Sequence, residues 1–162
     1  MGCGKSSVGR ELSELLCCPF IDLDAEIEAR CRCTVAEIFA ERGEAEFRRL
    51  ERETLKDILE TGGIILALGG GAVMTKECEE MVHGQTVCVY LRTSVDELVA
   101  RLSGESAGRP LLNTTDLRTR ILNLMRQRAE TYERVAHLVI DTDGKTIGQV
   151  ASEITTLLPA KR

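Results

Sequence analysis

Gly4-Lys5-Ser6 is the tripeptide through which this sequence could grip a phosphate. A phosphate loop needs glycines so that backbone N–H groups can turn towards phosphate oxygens. It also needs a lysine to reach the β- and γ-phosphates, and a hydroxyl for Mg²⁺. Gly2, Gly4, Lys5 and Ser6 supply most of this, and the helix that begins here would aim the positive end of its dipole at the same anion. The full pattern Gly-x-x-x-x-Gly-Lys-Ser/Thr would place its first glycine two residues before Met1, so the match is partial. Taken alone, the tripeptide fits a chance helix start as well as a nucleotide site.

Three further groups carry chemistry. Phe20-Ile21-Asp22-Leu23-Asp24 reads as a strand end, and alternation predicts Asp22 and Asp24 on one side, at the carboxyl end where α/β proteins bind ligands. The plainer reading is that one of the two caps the helix expected over Ala25 to Arg30. Gly69-Gly70-Gly71 directly follows the apolar run Ile64 to Leu68, so three residues without side chains lie where a backbone must come close to something; otherwise they form a flexible turn. Arg48 and Glu51 are three apart on a helical pattern, Arg109 precedes Pro110, and Arg128 lies one turn before Tyr132. Singly these are solvated charges. Converging on one cleft, permanently charged planar guanidinium groups would bind a small anionic substrate.

The elements that must position these residues alternate. Strand character recurs at Pro19 to Asp22, Ile64 to Leu68, Val87 to Leu91 and His137 to Asp141. Helical periodicity fills the intervals: Ser6 to Leu16 with Val8, Leu12, Leu15 and Leu16 as its apolar positions, a segment capped by Thr34, Glu44 to Glu60, Lys76 to Val82, Ser94 to Leu102, Leu117 to Tyr132 and Thr146 to Leu158. The alternation predicts an α/β fold, a three-layer parallel sheet flanked by helices. Ser103 to Thr115, rich in Gly and Ser, is the one extended loop and reads as a lid.

A length of 162 residues with 43% hydrophobic and 29% charged residues suits one globular domain, and the aromatic fraction of 3% leaves Leu, Ile, Val and Ala to build the core. A net charge of −5 and few aromatics argue against a nucleic-acid partner. No run of about 18 apolar residues and no secretory leader is present, which predicts a cytoplasmic protein without a membrane partner. The seven cysteines are an odd number and read as reduced thiols. Cys17-Cys18 with Cys31 and Cys33 lacks the spacing of a structural zinc site, and His83 and His137 read as isolated residues at a helix end and a strand start.

In combination, Gly-Cys-Gly-Lys-Ser, Phe-Ile-Asp-Leu-Asp, Gly-Glu-Ala-Glu-Phe-Arg-Arg-Leu-Glu (43–51), Leu-Gly-Gly-Gly-Ala, Arg-Pro-Leu-Leu and Arg-Ala-Glu-Thr-Tyr resemble the shikimate kinases in content and order over nearly the whole chain. The resemblance implies a P-loop, nucleoside-monophosphate-kinase-like fold as a single domain over 1–162, with substrate-binding helices at about 24–61 and a lid at about 103–116. It implies transfer of the ATP γ-phosphoryl group to the 3-hydroxyl of shikimate by a monomeric enzyme using ATP and Mg²⁺. On that footing Gly2, Cys3, Gly4, Lys5, Ser6 and Ser7 form the phosphate loop, Ser6 and Asp22 serve the metal, and Arg101 lies against adenine. Arg109 reaches the phosphates from the lid, and Asp24 accepts a hydrogen bond from the attacking hydroxyl. Arg48, Gly69, Gly70, Gly71 and Arg128 grip the substrate, with Glu51 steadying Arg48 and Lys5, Asp24 and Arg109 as the catalytic set. A related kinase acting on a compound such as gluconate, or a nucleotide-binding protein without catalysis, would share many of these features. The family has an apolar strand and a first glycine ahead of the segment matching Met1 to Gly4, so Met1 is expected to be internal to the natural protein. About ten residues, one strand and the start of its loop, would then be missing and would leave two neighbouring strands unpaired.

Overall fold

The computed structural model describes residues 2–105 and 114–159. Its elements follow the order α1 (Lys5–Leu16), β1 (Phe20–Asp22), α2 (Leu23–Cys31), α3 (Val35–Thr61), β2 (Ile65–Ala67), a short 3-10 turn (Ala72–Met74), α4 (Lys76–Gln85), β3 (Val89–Arg92), α5 (Val95–Glu105), α6 (Thr114–Val135), β4 (Leu138–Asp141) and α7 (Ile147–Leu157). The four expected strands and the helices between them are all present.

Local chemistry explains several boundaries. Thr34 starts α3 with a capping box: its hydroxyl accepts the Glu37 N–H while Glu37 accepts the Thr34 N–H. Thr146 and Gln149 do the same for α7. Within α3, Gly43 at φ 81° and ψ 172° breaks the helical path, so the segment is two helices meeting at a kink. On α1 the buried line runs through Val8 and Leu12 and packs on α7 and β2, whereas Leu15, expected on the same face, is 53% exposed. Its position turns it past the contact that α7 and β2 provide.

All pairing is parallel, but the described strands form two sheets rather than one. Phe20, Ile21 and Asp22 of β1 pair with Ile65, Leu66 and Ala67 of β2. Val89 to Arg92 of β3 pair with Leu138 to Asp141 of β4. Between the sheets lies an apolar cavity of about 460 Å³, lined by Ile64 to Leu68 on one side, Cys88, Val89 and Leu91 on the other, and Val8 and Leu12 of α1. The cavity-facing edges of β2 and β3 have no strand partner among the described residues.

The main core gathers Leu23, Ile27, Ile38, Phe47, Leu55, Ile58, Val82 and Val135 beneath α2, α3 and α4, and a second core of Val8, Leu12, Ile140, Val150, Ala151 and Ile154 joins α1 to α7 and β4. The two histidines are not isolated. Their rings stack at 4.5 Å and 14°, with His83 Nδ1 3.1 Å from the Val135 carbonyl and His137 Nδ1 accepting the Cys88 N–H. No helix among the described residues is long and apolar enough to cross a membrane.

Candidate active site

Gly4 caps α1 in the left-handed region, φ 83° and ψ 17°, a conformation that glycine adopts without steric penalty and that turns the chain into the helix. Lys5, Ser6 and Ser7 therefore occupy the first turn of a twelve-residue helix, where backbone N–H groups lack intrahelical partners and the dipole favours an anion. A cavity of about 680 Å³ opens over this turn. Residues 2–8 line one wall, and Glu97, Arg101, Thr142 and Thr146 line the other. Arg101 is held there by Glu97, with Nε 3.0 Å from Oε1, and its second terminal nitrogen lies 3.5 Å from the Thr142 carbonyl. The wall contributed by Thr142 and Thr146 was not singled out from the sequence; its signal is the polar run Thr142-Asp143-Gly144-Lys145-Thr146 at the carboxyl end of the last strand.

Asp22 ends β1 and does two things. Its Oδ2 accepts the Ser6 hydroxyl at 2.6 Å, and its Oδ1 accepts the N–H groups of Asp24 and Ala25 as N-cap of α2. One hydroxyl and one carboxylate at the phosphate end of the cavity fit Mg²⁺, a cation that keeps most of its waters and takes one or two protein oxygens beside substrate phosphates. Asp24 is not a strand residue. Alternation would have placed it beside Asp22, but the strand stops at Asp22 and Asp24 lies in the first turn of α2. It still reaches the same cleft, because the helix turn directs its carboxylate at the glycine run.

Each glycine of that run faces a different expected site residue. A β-carbon at Gly69 would stand 2.7 Å from Asp24 Oδ1, at Gly70 3.2 Å from Arg128 Nη1 and 3.5 Å from the Tyr132 hydroxyl, and at Gly71 2.5 Å from Arg48 Nη1. The three glycines are thus a close-approach surface on which a carboxylate and two guanidinium groups lie, and the flexible-turn reading does not hold. Arg48 donates to Glu51 Oε2 at 2.7 Å and to Glu44 Oε1 at 3.3 Å. Glu51 is buried, its side chain 3% exposed, and lies on the core side of α3.

The charges in this cleft act on one another. Burial, joined by the neighbouring Asp22 carboxylate, raises the Asp24 pKa above its ordinary value, against the opposing pull of Lys5 and Arg48. Burial likewise raises the Glu51 pKa, opposed by its hydrogen bond to Arg48 and by the charge of Arg128. Burial disfavours the Arg48 cation, but the Glu51 and Glu44 carboxylates outweigh it and the net direction is upward. Both directions describe one ion pair that burial desolvates at each end, more deeply at Glu51, with a guanidinium that stays charged throughout.

Of the residues singled out from the sequence, Gly2 to Ser7 and Arg101 line the phosphate-loop cavity, Asp22 touches it through the Ser6 hydroxyl, and Asp24, Arg48, Glu51, Gly69 to Gly71 and Arg128 belong to the adjoining cleft. Lys5 connects the two through its field at Asp24. Cys3 lines the cavity, its Sγ 3.9 Å from Lys5 Nζ. Arg109 and most of the expected lid lie outside the described residues. No group of three or more His, Cys, Asp or Glu side chains able to hold a metal ion occurs among the described residues.

Comparison with known proteins bears on the family and the fold. The sequence profile of the family described as "Shikimate kinase" matches residues 1–159. A shikimate kinase of Bordetella avium is 45% identical over 160 residues, covering 99% of this chain and 73% of its own. Among solved structures, the shikimate kinase of Acinetobacter baumannii in complex with shikimate superposes with a TM-score of 0.87 at 34% identity, over 97% of this chain and 87% of that one. The shikimate kinase of Bacteroides thetaiotaomicron gives 0.88 at 32% identity, over 97% and 93%.

Proposed function

The chain belongs to the shikimate kinase family, of P-loop, nucleoside-monophosphate-kinase-like fold, and we propose that the residues of its cleft divide the work of that family's reaction as follows. The reaction is transfer of the γ-phosphoryl group of ATP to the 3-hydroxyl of shikimate. Such a transfer asks for little covalent chemistry from the protein and depends on positioning and on cations around the moving charge.

The first turn of α1 binds the nucleotide phosphates through its free N–H groups, with Lys5 as the mobile cation. Ser6 and Asp22 would hold Mg²⁺, which would supply positive charge to neutralise the phosphates. Arg101, fixed by Glu97, forms the base-side wall. On the acceptor side, Arg48 and Arg128 present guanidinium groups to the substrate carboxylate, while Glu51 fixes the rotamer of Arg48 from beneath. Asp24, held against Gly69, accepts the hydrogen bond of the attacking hydroxyl at Oδ1 or Oδ2 and orients its lone pair towards the phosphate. Arg109 adds a cation from the lid segment.

The observation that carries this reading is the glycine run, whose three members face one carboxylate and two guanidinium groups beside a phosphate-loop helix. That set matches a small hydroxylated carboxylic acid. The test is a coupled ADP-release assay with shikimate and gluconate offered separately. ADP formation that depends on shikimate is expected; formation only with gluconate, or with neither, overturns the reading.

A further inference from the structure

We infer that Tyr132 is a positioning residue for the substrate grip, holding the Gly70 carbonyl so that Arg128 keeps most of its donors for the ligand. The inference rests on the proposed role of Arg128. Arg128 and Tyr132 are four apart on α6 and so share a face. Both reach one atom: Arg128 Nη1 donates to the Gly70 carbonyl oxygen at 3.0 Å, and the Tyr132 hydroxyl donates to the same oxygen.

A carbonyl oxygen has two lone pairs, and here both are taken. A guanidinium has five N–H donors in a fixed fork, so Arg128 spends one on the protein and can offer the others to a carboxylate. The Tyr132 ring is itself anchored, 5.4 Å from Tyr90 of β3 at 48°. A chain of contacts therefore runs from β3 through Tyr132 to the glycine run. Gly70 lies close under both side chains: a methyl there would be tight against Arg128 Nη1 at 3.2 Å and in ordinary contact with the Tyr132 hydroxyl at 3.5 Å. Without the hydroxyl, Arg128 alone would hold the partly buried carbonyl, and its fork would be drawn off the ligand position. The loss falls on shikimate binding, with the nucleotide side untouched.

The test compares wild type, Tyr132→Phe and the control Tyr90→Phe by steady-state kinetics. Tyr132→Phe keeps the ring and its packing; it is expected to raise the KM for shikimate about three- to tenfold, the worth of one hydrogen bond, with kcat and the KM for ATP within about twofold. Tyr90→Phe is expected to match wild type. An unchanged KM for shikimate in Tyr132→Phe, or a parallel loss in kcat and both KM values, overturns the inference. If Tyr132→Phe does not fold, Tyr90→Phe protein labelled with 3-fluorotyrosine substitutes for it, because the chain has two tyrosines and the label then falls on Tyr132 alone. The fluorine resonance of Tyr132 should then shift when shikimate binds and stay in place with ATP alone; a resonance that shikimate leaves unmoved overturns the inference. A wild-type protein without shikimate-dependent ADP release would instead refute the function proposed above.

Discussion

Asp24 is the residue on which the chemistry and the stability of this protein pull in opposite directions. Burial and Asp22 disfavour its charge, yet the role proposed for it, orienting the attacking hydroxyl, needs the ionised form. Activity should therefore fall as pH drops through a pKa lying above the ordinary carboxylate value, visible as the acid limb of a kcat/KM profile. A carboxyl group whose folded pKa is raised withholds stability above that pKa, and the stability returns as pH falls towards the unfolded value of about 3.9. Asp24→Asn is thus expected to lower kcat about a hundredfold while raising the melting temperature at pH 7. The gain should shrink as pH is lowered through the folded pKa; thermal scans at two pH values check both parts. The carboxylate itself was legible in Phe-Ile-Asp-Leu-Asp, but its placement was not. A period of two assigned it to a strand that ends two residues earlier, because Asp22 uses its side chain to start a helix.

At the scale of elements, the glycine run and the caps do the placing. Gly71 precedes the 3-10 turn and faces α3, and a β-carbon there would stand 2.5–2.9 Å from the Arg48 guanidinium. Gly71→Ala must push Arg48 away from its place above Glu51, so the KM for shikimate is expected to rise about tenfold or more, the loss of one charge-assisted contact. The KM for ATP should hold. Thr34 offers a contrasting case far from the chemistry: Thr34→Ala removes one half of a capping box and should cost about 1 kcal/mol of stability. Chemical denaturation reads that change, with kcat unaltered. The Thr34 cap was readable as Thr before an apolar-periodic segment, whereas Thr146 read as the first residue of its helix and is instead the cap. The partner of each glycine was not readable, since Asp24, Arg48 and Arg128 come from α2, α3 and α6 and meet only across the fold.

For the whole molecule, the apolar cavity between the two sheets is the dominant packing feature outside the site. Its walls are Ile64 to Leu68 and Cys88, Val89 and Leu91, with strand edges that no described strand covers. Val89→Ile keeps a β-branched side chain on β3 and adds one methylene to that space, worth about 0.8 kcal/mol if buried. That corresponds to a rise in melting temperature of about 2–3 °C for a chain of this size; no rise would mean that the added group stays in water. The sequence by itself determined the alternation of strands and helices, the chemical inventory of the cleft and, through the order of its motifs, the family. Those depend on local periodicity, on residue type and on spacing along the chain, all of which are written in one dimension. Only the tertiary structure decided that each of the three glycines faces its own polar partner, that Tyr132 shares the Gly70 carbonyl with Arg128, that His83 and His137 stack, and that the strands form two sheets around a gap. Each of these depends on contacts between segments tens of residues apart, and side-chain spacing along a chain carries no record of which distant surfaces the core will bring together.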